Sequence, residues 1–200
     1  MGQEVLKIGF ALYFKPFVRQ RVIKILILKG SPNINGSSAI LAEAFADGAK
    51  AGGHEVSSVN VTRANIHPCL GCIHCGYDGP CIQKDGMQTL RPQILSADML
   101  VFATPLYYYG FSAQLKTLID RFCAFNFEIE ARLLHSALLV SAWNSADWTF
   151  DAIKMHYQTL VRYLGFKDEG MVLGAGCGTP EMTKSSKFPD LAYQLGLSLK

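Results

Sequence analysis

The chain has 200 residues, 50% of them hydrophobic and 18% charged, the profile of one domain that buries a full core and not of a disordered chain. Its formal charge of +3 lies in the first 21 residues, where Lys7, Lys15, Arg19 and Arg21 face only Glu4. The near-neutral remainder argues against a nucleic-acid-binding surface, and no apolar run approaches the roughly 20 residues of a membrane span.

Residues 1–21 contain a short apolar run, Ile8 to Phe14, with Glu4 in front and no small-residue cleavage site behind. A poor signal peptide, an extra strand or docking helix, and an upstream tail all fit this pattern. The expectation is an N-terminal appendage packing on the surface or on a neighbouring subunit, followed by one domain over 22–200.

KILILKGSPNINGSS, from Lys24 to Ser38, reads as a buried strand, a Gly-Ser-Pro turn, a polar loop and a helix start. A loop between a parallel strand and a helix N-terminus is a ready anion site, because the first N–H groups of the helix lack internal partners. Gly30 and Gly36 do not have dinucleotide-loop spacing, and no Lys follows Gly36 as a nucleoside triphosphate would need. What remains is Ser31, Asn33, Asn35, Ser37 and Ser38, neutral donors suited to a single phosphate monoester such as that of FMN. The alternative is a polar turn that holds nothing.

The helix carries an apolar stripe at Ile40, Leu41, Ala44, Phe45 and Gly48 and stops at Gly52-Gly53. His54 to Val61 reads as an edge strand, and a loop from Thr62 to Lys84 holds four cysteines. Asp85 opens a helix to Ser96 that Pro92 should bend or shorten. Asp98 to Ala103 is a third buried strand, followed by an aromatic loop. Ser112 then caps a helix with Leu115, Leu118, Ile119 and Phe122 on one face. A strand over Ser136–Val140, a long helix over Asp147–Leu164, a strand over Gly170–Leu173 and a helix from about Pro189 to Leu199 complete the chain. Short apolar strands alternating with helices predict one α/β domain, a doubly wound five-stranded parallel sheet.

With strand order 2-1-3-4-5, ligands belong at the switch point beyond the strand C-termini. Three loops meet there. The first offers the phosphate donors. The second offers Pro105, Tyr107, Tyr108 and Gly110, whose backbone can run along a flat ring. The third offers Trp143, Asn144, Ser145 and Trp148 for its rim or open face.

KGSPNINGSS together with ATPLYYYGFSAQLKTLIDRF resembles the NADPH-dependent FMN reductase branch of the flavodoxin-like superfamily. The resemblance implies a flavodoxin-like fold and FMN held by Ser31, Asn33, Asn35, Ser37 and Ser38. It places Pro105, Leu106, Tyr107 and Tyr108 by the isoalloxazine, with a contribution from residues 142–145. It also implies a homodimer or homotetramer, with NAD(P)H as co-substrate and a quinone, flavin or other small molecule as acceptor. Asn33 stands where many relatives carry Arg, and the third loop lacks a glycine-rich run. No side chain is expected to act as nucleophile or base, since the chemistry belongs to the cofactor. Lys116, Asp120 and Arg121 read as charge pairing on a solvated helix face.

Cys69-x2-Cys72-x2-Cys75-x5-Cys81 is similar to a ferredoxin-type [4Fe–4S] ligand run and to the motif of the iron–sulfur flavoproteins. Three readings stand: a cluster, unligated or paired thiols, and zinc with His67 or His74 replacing one cysteine. Cys123 and Cys177 read as buried small residues. Four cysteines within thirteen positions are not spread as a disulfide framework is, so a reducing cytoplasm is expected. Two rivals to the reductase remain. One is an electron carrier relaying through a [4Fe–4S] cluster and FMN between protein partners; the other is a metal- or redox-sensing protein on the same scaffold.

Overall fold

The computed structural model describes residues 21–200, so the expected appendage lies outside the described residues except for Arg21. Five parallel strands form the sheet: β1 (Lys24–Lys29), β2 (Glu55–Asn60), β3 (Met99–Pro105), β4 (His135–Ser141) and β5 (Lys167–Gly174). Their order is β2-β1-β3-β4-β5, the flavodoxin-like arrangement. β1 pairs with β3 from Ile25 opposite Met99 to Lys29 opposite Ala103, which brings the loops after these two strands together.

The central strands are apolar throughout because both faces are covered. On one face Leu26, Leu28, Leu100, Phe102, Leu138 and Val140 form a core with α2 (Met87–Ser96), α3 (Ala113–Asp120), α4 (Asn126–Ala131) and α5 (Asp151–Tyr163). On the other, Ile25, Ile27, Met99, Val101 and Leu139 meet Leu41, Ala42, Phe45 and Ala49 of α1 (Ser37–Ala51), with Ala192 of α7 (Phe188–Leu197) behind them. A short α6 (Pro180–Lys184) precedes α7.

Three expectations shift. α2 runs through Pro92, because burial of Met87, Leu90 and Ile94 outweighs one missing backbone bond. The helix expected over 147–164 begins only at Asp151; residues before it turn, and Trp148 lies against Tyr109 with ring centroids 5.1 Å apart. After Asp120, α3 passes into a 3₁₀ turn over Arg121–Phe125 and then α4. Sequence periodicity did not separate these two pieces. Three of the five histidines are placed by contacts outside the cysteine loop: His54 sits between Ile23 N and Leu199 O, His135 pairs with Glu169, and His156 packs edge-on to Phe111.

α1 and α7 cross closely at Gly48, where an added Cβ would lie 2.0 Å from the Tyr193 carbonyl oxygen. Neither backbone can retreat from a sheet it already covers. Gly48→Ala is therefore expected to cost about 1–3 kcal/mol, read as a lowered urea midpoint.

Candidate functional site

The phosphate-type loop is built by its own side chains. Asn33 N donates to Ser31 Oγ at 3.2 Å, and Asn35 N donates to Asn33 Oδ1 at 3.2 Å. The Ser31 hydroxyl hydrogen and the Asn33 amide N–H₂ are left as donors. α1 then starts at Ser37 with Gly36 as its N-cap, no side-chain cap and no acidic residue in its first turn. Ala39 N and Ile40 N turn back to Gly36 O, so the N–H groups of Ser37 and Ser38 open the helix with its dipole uncompensated. Ser37 Oγ is buried with no hydrogen-bond partner, an arrangement that costs free energy until an acceptor arrives.

These groups line one side of a cleft of about 360 Å³. Pro105, Leu106 and Tyr107 of the second loop and Ser141 and Trp143 of the third line it too. Gly36 of the first loop lines it as well, and Cys177, Gly178 and Pro180 add a wall that sequence reasoning missed. That wall follows β5 and is held by contact: Trp143 lies so close on Gly178 that a Cβ there would meet its ring at 2.1 Å. A second cleft of about 240 Å³ continues beyond Leu106 and Trp143, lined also by Tyr108, Tyr109, Ala142 and Asn144. The paired clefts thus gather most of the expected residues. Asn35 and Gly110 line neither; Asn35 shapes the loop through Asn33, and Gly110 closes a turn with Tyr107 through two backbone bonds.

That turn is unusual. Its two central residues, Tyr108 and Tyr109, have φ of 45° and 63°, a left-handed region that favours Gly, Asn or Asp. Tyr108 is fully exposed, so no burial offsets its backbone. Tyr107, Tyr109, Trp143 and Trp148 are exposed around it, giving the ring-sized cleft an aromatic rim.

Ser112 holds the arrangement together from below. Its N–H donates to Thr104 Oγ1 at 3.0 Å, its hydroxyl donates to Gly30 O at 2.6 Å, and its oxygen accepts from Leu115 N at 3.3 Å. One buried residue, through its backbone N–H and its hydroxyl, therefore ties the end of β1, the end of β3 and the start of α3.

A second cavity lies at the far end of α3. Cys69, Cys72, Cys75 and Cys81 line it together with Leu70, Ile73, Ile82, Gln83, Arg121, Cys123 and Ala124. All the cysteines are unpaired, and Cys123 is exposed here rather than buried as expected. Burial, then the nearby Cys69 and Cys75, push its thiol pKa up. Cys177 is buried, but at the wall of the first cleft.

Arg121 corrects the sequence reading most strongly. Lys116 and Asp120 do form an i,i+4 pair at 2.5 Å, whereas Arg121 is 1% exposed. Its Nη1 donates to Asp85 Oδ2 at 2.6 Å and to the His67 carbonyl at 2.8 Å, and its Nη2 donates to Asp85 Oδ1 at 3.3 Å. Asp85 also accepts from His67 N and Met87 N, closing both ends of the cysteine loop. Burial alone would raise the Asp85 pKa, but the Arg121 bond and these N–H groups bring it below the usual carboxylate value. His67 Nδ1 lies 3.5 Å from Asp85, so this ring is engaged away from the thiols. Among the described residues, no three His, Cys, Asp or Glu side chains converge closely enough to hold a single metal ion, against the zinc reading.

The sequence model of the NADPH-dependent FMN reductases matches residues 23–154. The chain belongs to that family. It is 33% identical over 99 residues to an iron–sulfur flavoprotein of Archaeoglobus fulgidus, covering 50% of this chain and 45% of that protein. It is 22% identical over 161 residues to the putative NAD(P)H-dependent FMN-containing oxidoreductase YwqN of Bacillus subtilis, covering 77% and 86% of the two. The matches to the iron–sulfur flavoproteins span about half the length of those relatives. The NAD(P)H:quinone oxidoreductase of Methanothermobacter marburgensis shares the fold, with a TM-score of 0.75, 19% identity and coverage of 90% and 97%.

The strained turn gives a direct test of this geometry. Tyr108→Asn, which suits a left-handed backbone, is expected to raise stability by about 1 kcal/mol, read in urea unfolding of the ligand-free protein.

Proposed function

We propose that this member of the family is an FMN-dependent NAD(P)H oxidoreductase that passes electrons to a quinone, a flavin or another small acceptor. The observation that carries the reading is the buried, unpartnered Ser37 hydroxyl at an uncapped helix N-terminus. A phosphate monoester satisfies that hydroxyl and the neighbouring N–H groups together. Ser31, Asn33 and Ser38 join Ser37 at the phosphate. The isoalloxazine fits the adjoining cleft, where Pro105, Leu106, Tyr107 and Tyr108 face Trp143 and Asn144 of the third loop. When bound, FMN supplies hydride acceptance from a nicotinamide and electron donation onward. The chain's own work is to bind, orient and partly shield; none of its side chains needs to carry a proton. The exposed aromatic rim suits a second copy of the chain packing over the cleft, in a homodimer or homotetramer. Among the described residues no helix is long and apolar enough to cross a membrane.

The test is FMN affinity followed by quenching of flavin fluorescence. A hydrogen bond to a charged acceptor contributes about 1.5–3 kcal/mol, so Ser37→Ala is expected to weaken FMN binding at least about tenfold. Binding should also weaken as pH falls below about 6, where a phosphate monoester loses its second charge. Equal affinity in the variant and the parent would contradict the assignment.

The cysteine cavity favours a second reading, an iron–sulfur flavoprotein that relays electrons. Cys69, Cys72, Cys75 and Cys81 would hold a [4Fe–4S] cluster, which supplies one-electron transfer. The donor set has the required chemistry, four cysteines facing one cavity. A cluster places its irons between the thiolates, so it does not need the close convergence that a single ion demands. Cys123 is then the spare thiol. Cys72→Ser is expected to abolish iron uptake on anaerobic reconstitution, and Cys123→Ser to leave it unchanged, by iron and sulfide assay. Equal iron in both variants would remove this reading.

A further inference from the structure

We infer that Arg121 is the positioning residue of the cysteine cavity, its Nε–H donating a hydrogen bond to an anionic sulfur of the group held there. The inference rests on the iron–sulfur reading above, and it assigns a role to a side chain outside the cysteine motif.

Both terminal nitrogens of Arg121 are taken by Asp85 and the His67 carbonyl, while Nε is buried with no partner. A guanidinium donor left dry and unpaired costs more than a neutral one, and this side chain is 1% exposed, so water does not repair the loss. No protonation change relieves it either. Burial works to lower the Arg121 pKa, but the Asp85 carboxylate, with the Cys81 sulfur also beside the guanidinium, outweighs that and keeps the group charged.

The cavity that Arg121 lines offers few acceptors. Apart from Gln83 and Arg121 itself, the side chains that line it are aliphatic or cysteine. A neutral thiol is a weak acceptor; a metal-bound thiolate or a cluster sulfide is anionic and a strong one. The fork of Arg121 is held rigidly by Asp85, which also fixes both ends of the cysteine loop. The same carboxylate therefore sets the donor and the thiols in one frame. A hydrogen bond to sulfur favours the reduced, more negative cluster and raises its potential.

The experiment uses the full chain, reconstituted anaerobically with ferrous iron and sulfide, in natural-abundance and ¹⁵N-arginine-labelled forms. Pulsed EPR of the reduced, labelled protein should show a ¹⁵N coupling to the cluster spin, with an exchangeable proton lost in deuterated buffer. Arg121→Lys should keep iron, sulfide and FMN, lose both couplings and shift the cluster potential downward. A cluster-bearing protein with no arginine coupling would overturn the inference, as would an Arg121→Lys variant of unchanged potential. A chain that takes up no iron or sulfide removes the iron–sulfur reading and this inference with it, and leaves the FMN site standing. Should Arg121→Lys fail to fold, the labelled parent protein decides alone.

Discussion

The site depends on one buried serine. The Ser112 hydroxyl donates to Gly30 O just beyond β1 and accepts from Leu115 N in the first turn of α3, while the Ser112 backbone N–H donates to Thr104 Oγ1 at the end of β3. A parallel sheet reverses its winding between these two strands, and a gap opens there whatever the sequence. Whether the gap is a usable cleft depends on how the two loops leave it. Ser112 holds them at a set separation, so that α1 presents its N-terminus on one side and the Tyr107–Gly110 turn stands on the other. The backbone strain at Tyr108 and Tyr109 is carried by this anchored frame, in the manner of functional loops on rigid scaffolds.

α3 joins that cleft to the cysteine cavity. Its cap, Ser112, ties together the loops of the first; the turn that ends it supplies Arg121 and Cys123 to the second. Eight residues at about 1.5 Å each make the helix roughly 12 Å long, so the two sites are near neighbours along one element. Each contains a buried side-chain polar atom without a partner, Ser37 Oγ in the first and Arg121 Nε in the second. In both, the unpaired donor stands where an anionic group would complete it. One is a phosphate. The other is sulfur.

The centre of the sheet could be read from the amino acids because β1, β3 and β4 are covered on both faces and so appear as unbroken apolar runs. The donors of the first loop could be read because polar residues crowd a strand–helix junction. What escaped had a non-local cause. The wall at Cys177–Pro180 joins the cleft only because Trp143 lies on Gly178, a contact no local pattern announces. Arg121 looked like an exposed helix charge, since its burial is tolerable only with Asp85, 36 residues away. The break of α3 after Asp120 has no local signature, because Asn126 N bonds to Tyr77 O in the cysteine loop, so tertiary contact, not periodicity, sets that turn.

The most direct measurement is a calorimetric titration of the ligand-free protein with FMN, riboflavin serving as the control that lacks the phosphate. One FMN per chain and far weaker binding of riboflavin are expected, because the helix N-terminus and Ser37 act on the phosphate. Equal binding of the two would contradict the phosphate site, and no binding of either would contradict the flavin pocket itself.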